Sequence, residues 1–308
     1  MSLPNFMCIG AAKSGTTSLY DILRQHSDVY IPAFKEPHFF DIPDNYINGV
    51  EWYSKTYYKR VKKEKCIGDF TPTYLFDKEV PKRICSDLGR DMKFIIILRN
   101  PVDRAYSQYL HMKRDCYESL SFKDALSHES GRLNEANNKK NYLSKIRFSY
   151  VQQGLYTEML NEYFKYFSKE NFLILNFEQE FVEQREESIR KILLFLNIEN
   201  ENLDADIVSN IASKARFVWV KNIMNKSSWW ISLLKNIIPF VQFRRILRNR
   251  IQRANNVKFE FDVLSDTDID FTTIKSDLTR LPIVIEIVKK IAMYIALSSN
   301  KLLIGLSI

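Results

Sequence analysis

The sequence predicts an α/β fold with a central, largely parallel sheet flanked by helices. Three observations carry that expectation. Apolar runs of strand length ("NFMCIG", "EKCIGDF", "KFIIILRN", "NFLILNF") alternate with amphipathic stretches of helical period. One of them, "KFIIILRN", is apolar without a break, as a central parallel strand covered on both faces would be. The first run passes through a glycine-bounded loop straight into a helical stretch, in "FMCIGAAKSGTTSLYDIL".

Taken in order, residues 5–10 are a short buried strand, and "TTSLYDILRQH" is the helix leaving it. Leu19, Ile22 and Leu23 fall on one face of that helix, with Thr16 or Thr17 as its N-cap. After the second and third strands, "NPVDRAYSQYLHMKR" opens a helix with Pro101 in its first turn, where a missing N–H costs nothing. The polar stretch 127–145 reads as a long surface loop. "GLYTEMLNEYFKYF" repeats Leu155, Met159, Leu160, Tyr163, Phe164 and Phe167 at helical spacing. "NFLILNF" is a fourth strand and "EESIRKILLFLNI" a further helix. The expected organisation is a single domain over 1–308, an α/β core to residue 200 and a basic, mainly helical part over 201–308.

The 308 residues are 45% hydrophobic and 13% aromatic, enough for one large core. Cys8, Cys66, Cys85 and Cys116 form no C-x-x-C pair, which favours reduced structural thiols over a disulfide framework or a zinc site. Nothing resembles a secretory leader, and Glu286, Lys289 and Lys290 interrupt the apolar "LPIVIEIVKKIAMYIAL", so the expected location is cytoplasmic. The net charge of +8 is uneven: residues 207–259 hold eleven basic side chains and no acid. Such a block attracts anions, whether nucleotide phosphate, acidic polymer or membrane surface, or it is a solvated basic face. The aromatic and basic stretches "EWYSKTYYKRVKK" and "WWISLLKNIIPFVQFRRILRNRIQR" could line an acceptor groove or pack into the core, and the second could equally lie on an anionic membrane.

Gly10 and Gly15 have the separation of a phosphate-binding loop, yet Lys13 sits inside the loop and Thr16-Thr17 stands where a triphosphatase carries Lys-Ser/Thr. A triphosphatase also needs an acid at the end of a second strand to hold magnesium. Here the best central strand ends in Arg99, which repels a metal ion and binds a phosphate directly. Eight residues on, Ser107 lies on the following helix, so guanidinium, hydroxyl and helix N-terminus can converge on one phosphate. Two rival readings are a P-loop kinase or triphosphatase, and a basic nucleic-acid- or membrane-binding protein.

"KSGTTSL" after a strand, "KEPHFFD" at 35–41, "GDFTPTYL" at 68–75 and "ILRNPVDRAYSQY" together resemble the PAPS-dependent sulfotransferases, PAPS being 3′-phosphoadenosine 5′-phosphosulfate, and above all the heparan-sulfate-type glycan enzymes. The likeness continues through "GLYTEMLNEYFKYF" and "NFLILNFEQEF" to about residue 181. It implies a P-loop-NTPase-like core and transfer of a sulfuryl group from PAPS to a hydroxyl or amine, on a glycan or a small alcohol. No metal and no nucleic-acid partner is implied, and the basic C-terminal part could touch a membrane surface. Lys13 would face the bridging oxygen of the donor, among donors from Ser14, Gly15, Thr16, Thr17 and Ser18. Arg99 and Ser107 would hold the 3′-phosphate. Glu36 would be the base, with His38 orienting the acceptor or sharing the proton. A sulfuryl group carries less charge than a phosphoryl group, so a lysine and backbone dipoles suffice to stabilise it.

The chain departs from the pattern of those relatives twice. The lysine that commonly precedes the Thr of their second motif is replaced by Phe70, with Asp69 ahead of it as either an acceptor ligand or an ordinary strand-end residue. The glycine- and lysine-rich loop over the 3′-phosphate is also missing; Lys214 and Arg216 are the nearest substitutes.

Overall fold

The computed structural model describes residues 1–138 and 141–207, and the backbone of 213–215 and 256–258. In chain order the elements are β1 (Phe6–Gly10), α1 (Thr16–Leu23), β2 (Val29–Tyr30), α2 (Pro43–Tyr46), α3 (Gly49–Tyr53), β3 (Cys66–Phe70), α4 (Val80–Leu88) and β4 (Lys93–Leu98). They continue as α5 (Pro101–Arg114), α6 (Phe122–Ser127), α7 (Glu129–Asn138), α8 (Tyr142–Phe148), α9 (Tyr156–Phe164), β5 (Phe172–Asn176), α10 (Arg185–Leu196), β6 (Ser213–Ala215) and β7 (Asn256–Lys258). The first five strands form one parallel sheet in the order β2-β3-β1-β4-β5.

Strand periodicity sorts the core into two layers. Met7, Ile9, Phe94 and Ile96 face one way, against Val80 and Ile84 of α4 and Met159, Leu160 and Tyr163 of α9. Phe6, Cys8, Ile95 and Ile97 face the other, against Leu19, Ile22 and Leu23 of α1 and Ile189, Ile192 and Leu193 of α10. Each fully buried side chain of this size contributes about 1.5–3 kcal/mol of transfer free energy, so two filled layers hold β1 and β4 rigidly in the middle. Their carboxyl ends, at Gly10 and Leu98, are therefore fixed points for the loops that follow. All four cysteines are free, and Cys8 and Cys66 are buried in strands as expected.

Two local expectations are corrected and one strand is added. The helix after the loop is not capped by Thr16 or Thr17: its N-cap is Gly15, in the left-handed region at φ 77°, with no side-chain cap bond. The short edge strand β2 was not foreseen, because two residues carry no readable period. Residues 127–145 are not a loop but are largely helical, in α7 and α8. Their polarity is misleading, because the fastening is itself polar. Buried Glu129 accepts from the backbone N–H groups of Val151 and Gln152 at 2.8 and 2.9 Å, and Arg132 pairs with buried Glu118.

Among the described residues no helix is long and apolar enough to cross a membrane. The expected helical C-terminal part, including the basic block, falls mainly outside the described residues. What is described beyond residue 207 is the antiparallel pair β6–β7, with β6 beside α5.

Candidate active site

The loop between β1 and α1 turns twice through the left-handed region, at Lys13 (φ 72°) and Gly15 (φ 77°). Glycine at 15 is doubly required, since a Cβ there would stand 2.8 Å from the Phe181 ring and 3.0 Å from that of Phe177. Arg99, at the end of β4, reaches across and donates from Nη1 to the Lys13 carbonyl at 3.1 Å. Its guanidinium also stacks on Phe177, 5.0 Å from the ring centroid. Two polar atoms here, Ser14 Oγ and Arg99 Nε, are buried without a hydrogen-bond partner. Leaving buried donors orphaned is costly, and the oxygens of an anionic ligand would complete both.

The segment 35–41 lies against this loop. Glu36 is anchored by its own N–H to the Phe70 carbonyl at 3.1 Å, and both Glu36 (φ 62°) and His38 (φ 52°) are left-handed. Lys35 Nζ donates to Thr17 Oγ1 and to Glu36 Oε1, both at 3.0 Å. His38 Nε2 stands 3.6 Å from the other Glu36 oxygen, and Nδ1 is 2.9 Å from Asp41 Oδ2. Asp41, itself buried, also accepts from Thr73 at 2.6 Å and from Tyr142 of α8 at 2.8 Å.

The third wall is α5. Asn100 caps it, accepting from the N–H of Val102 at 2.9 Å, a device worth about 1 kcal/mol. Ser107, Gln108, His111 and Met112 face a cavity of about 480 Å³ that Lys13, Thr17, Lys35, Glu36, His38 and Arg99 also line. His111 Nδ1 lies 3.3 Å from Lys13 Nζ, and His111 Nε2 lies 3.2 Å from Asp115 Oδ2. An Nε2–H donated to Asp115 leaves Nδ1 as acceptor for the lysine.

These contacts set the charges. Burial pushes Lys13 down to about 8, with Arg114 adding to the effect. Burial and then Lys13 push His111 down to about 4, so it is neutral at pH 7. Burial alone would push the Glu36 carboxyl up, but Lys35 and His38 outweigh it and hold it well below the usual carboxylate range. For His38 burial is outweighed by Asp41 and Glu36, and it rises to about 10. The site therefore holds an ionised Glu36 beside a charged imidazole.

Of the residues expected here, Lys13, Gly15, Thr16, Thr17, Ser18, Glu36, His38, Arg99 and Ser107 line one cavity, while Ser14 is buried beneath the loop. Arg216 lies outside the described residues, and Lys214 enters only as a backbone position of β6. Asp69 resolves to a core residue: buried, it accepts from Tyr53, from Thr71 at 2.6 Å and from Tyr74 at 3.2 Å. Lys35, Asp41, Thr73, His111 and Tyr142 were missed. Lys35 and Asp41 stand inside a segment already singled out, and His111 follows Ser107 by one helical turn. Nothing in the sequence signals Tyr142.

A family model described as the sulfotransferase domain matches residues 3–238. Over 200 residues the chain is 32% identical to heparan sulfate glucosamine 3-O-sulfotransferase 5 of Mus musculus, covering 64% of this chain and 54% of that protein. It is 39% identical over 111 residues to the membrane-associated sulfotransferase kil1 of Dictyostelium discoideum, covering 35% of this chain and 23% of that one. The chain spans about half the length, or less, of these curated relatives. The solved sulfotransferase from Alicyclobacillus acidocaldarius superposes with a TM-score of 0.59 at 32% identity, covering 68% of this chain and 87% of that one.

Proposed function

The chain belongs to the sulfotransferase family, and from that premise we propose that it moves a sulfuryl group from PAPS to a hydroxyl of a carbohydrate. One observation carries the reading. Ser14 Oγ and Arg99 Nε are buried without a hydrogen-bond partner at the loop that holds Lys13, the arginine Nε having only a 3.9 Å ion pair with Glu178, and an ionised Glu36 lines the same cavity. PAPS supplies the activated sulfuryl group.

In this reading the loop N–H groups, Ser14, Thr16, Thr17 and Ser18 hold the 5′-phosphosulfate end, and Arg99 with Ser107 holds the 3′-phosphate. The strand β6 lies beside α5, and in this reading Lys214 within it and Arg216, two residues on in sequence, are the candidates for a further contact to that phosphate. Lys13 stabilises the charge that develops on the bridging oxygen. Glu36 removes the acceptor proton during in-line displacement. His38 already carries a proton between Glu36 and Asp41, so it orients the carboxylate rather than sharing the transferred proton. Heparan-type relatives point to an acidic glycan as the first acceptor to try.

The test is a calorimetric titration with 3′-phosphoadenosine 5′-phosphate, followed by transfer from PAPS to glycan oligosaccharides and small alcohols. Saturable binding and transfer to a glycan are expected. A chain that ignores the bisphosphate, or turns over ATP with magnesium, overturns the reading.

A further inference from the structure

Lys35 is half-buried, with 17% of its side chain exposed, and it spans two parts of the site. Its Nζ is 3.0 Å from Thr17 Oγ1 in the phosphate loop and 3.0 Å from Glu36 Oε1. The end of β3, which forms the neighbouring wall, offers no cation. Phe70 is turned into the core, packed edge-on against Phe6 and Tyr20 with ring centroids 6.1 and 5.7 Å away. Asp69 is enclosed by tyrosine and threonine hydroxyls. Among the described residues, Lys35 is thus the cation that joins the donor loop to the base.

Resting on the sulfotransferase reading above, we propose that Lys35 is a catalytic residue that exchanges partners. In the donor-free chain it neutralises Glu36; with PAPS bound it turns to the sulfuryl oxygens and frees the carboxylate to accept the proton. The donor thereby prepares its own base. Transfer forms the bond from the acceptor oxygen to sulfur and breaks that from sulfur to the bridging oxygen. The electron pair leaves on the bisphosphate, and the acceptor proton passes to Glu36.

The electrostatics support the exchange. Other charges around Glu36 are His38, backed by Asp41, and Lys13 across the loop. Burial would raise the carboxyl, and Lys35 is the largest influence opposing it. A carboxylate held so low is ionised but weakly basic, so losing its nearest cation when the donor arrives strengthens it as a base. Thr17 sits at the first turn of α1, where an anion is favoured, so Lys35 has only a short distance to travel to reach it.

The test uses the full chain with Lys35→Gln and Lys35→Arg. Bisphosphate affinity, measured by calorimetry, should stay within about threefold in Lys35→Gln, which also shows that the variant folds. The kcat for transfer from PAPS to an N-sulfated heparan oligosaccharide should fall by about 10²–10³-fold, as for loss of one transition-state donor. Lys35→Arg should recover part of that rate. Carboxyl ¹³C NMR, with Glu36 assigned through Glu36→Gln, should show its midpoint rising by about 1–3 units in donor-free Lys35→Gln. Adding PAPS should raise the midpoint more in wild type than in Lys35→Gln.

Equal rises overturn the exchange. An unchanged kcat with lower unfolding temperature, or affinity and kcat falling in step, overturns the catalytic role. If wild type binds no bisphosphate and transfers nothing, the sulfotransferase reading fails with it. Binding and transfer that are indifferent to Lys35 sink this proposal alone.

Discussion

Tyr142 and Asp41, 101 positions apart, are joined by a 2.8 Å hydrogen bond from the phenol to Oδ2. The bond fastens the start of α8 to the segment that carries Glu36 and His38. Tyr142→Phe keeps the ring and removes one bond to a charged acceptor, so unfolding free energy should fall by about 1.5–3 kcal/mol in urea titration. A loss well under 1 kcal/mol would mean that solvent replaces the phenol.

His38 makes stability depend on pH in a readable direction. Its pKa rises from the ordinary 6.5 to about 10, Asp41 and Glu36 outweighing burial. A raised histidine stabilises fully below its unfolded value, and the contribution fades as pH climbs through the folded one. The stability difference between wild type and His38→Gln should therefore be largest below about pH 6.5 and vanish by about pH 10. A difference that is flat across that range contradicts the ion pair.

Arg99→Ala and Ser107→Ala should each weaken the 3′,5′-bisphosphate, the arginine by a charge-assisted contact of about 1.5–3 kcal/mol. Adenosine 5′-phosphosulfate, lacking the 3′-phosphate, should bind more weakly to wild type and hardly respond to either change. Equal responses in calorimetry would move the 3′-phosphate elsewhere.

Lys13→Ala should lower kcat far more than bisphosphate affinity, because its role grows with charge on the bridging oxygen. Burial pushes Lys13 down to about 8, so kcat/KM should fall as pH rises through that value. Lys13→Arg should shift that limb upward. EDTA should leave the rate intact; a strict magnesium requirement would favour a kinase.

Glu36→Gln keeps size and shape but cannot take a proton, so transfer should drop by roughly 10²–10⁴-fold while bisphosphate binding persists. Thermal unfolding separates this from a purely structural ion pair, which predicts a less stable chain with turnover per folded molecule preserved.

The elements that position the donor loop were legible because each is continuous in sequence. Gly10 to Ser18 is one strand–loop–helix unit, and Arg99 and Ser107 share one strand and its following helix. Unbroken apolar runs also found β1 and β4, and helical periods found α9 and α10. Side chains that act across the chain were not legible. Tyr142 reaches Asp41 only because α8 folds back over 35–41, and α8 sits in a polar stretch whose fastening, Glu129 on backbone N–H groups, leaves no apolar period. His111 was concealed differently: its partner is Lys13, 98 positions away.

Three side chains given chemical roles at the site, Lys13, Glu36 and His38, hang from left-handed backbone. For residues with a Cβ that conformation costs about 1–2 kcal/mol each, and glycine is spared it. Breeding this chain for heat tolerance alone would therefore lead away from an enzyme. A library selected only for survival at high temperature should fill position 13 with glycine or asparagine, where burial of the lysine charge adds to the backbone cost, and its hardiest members should be its least active.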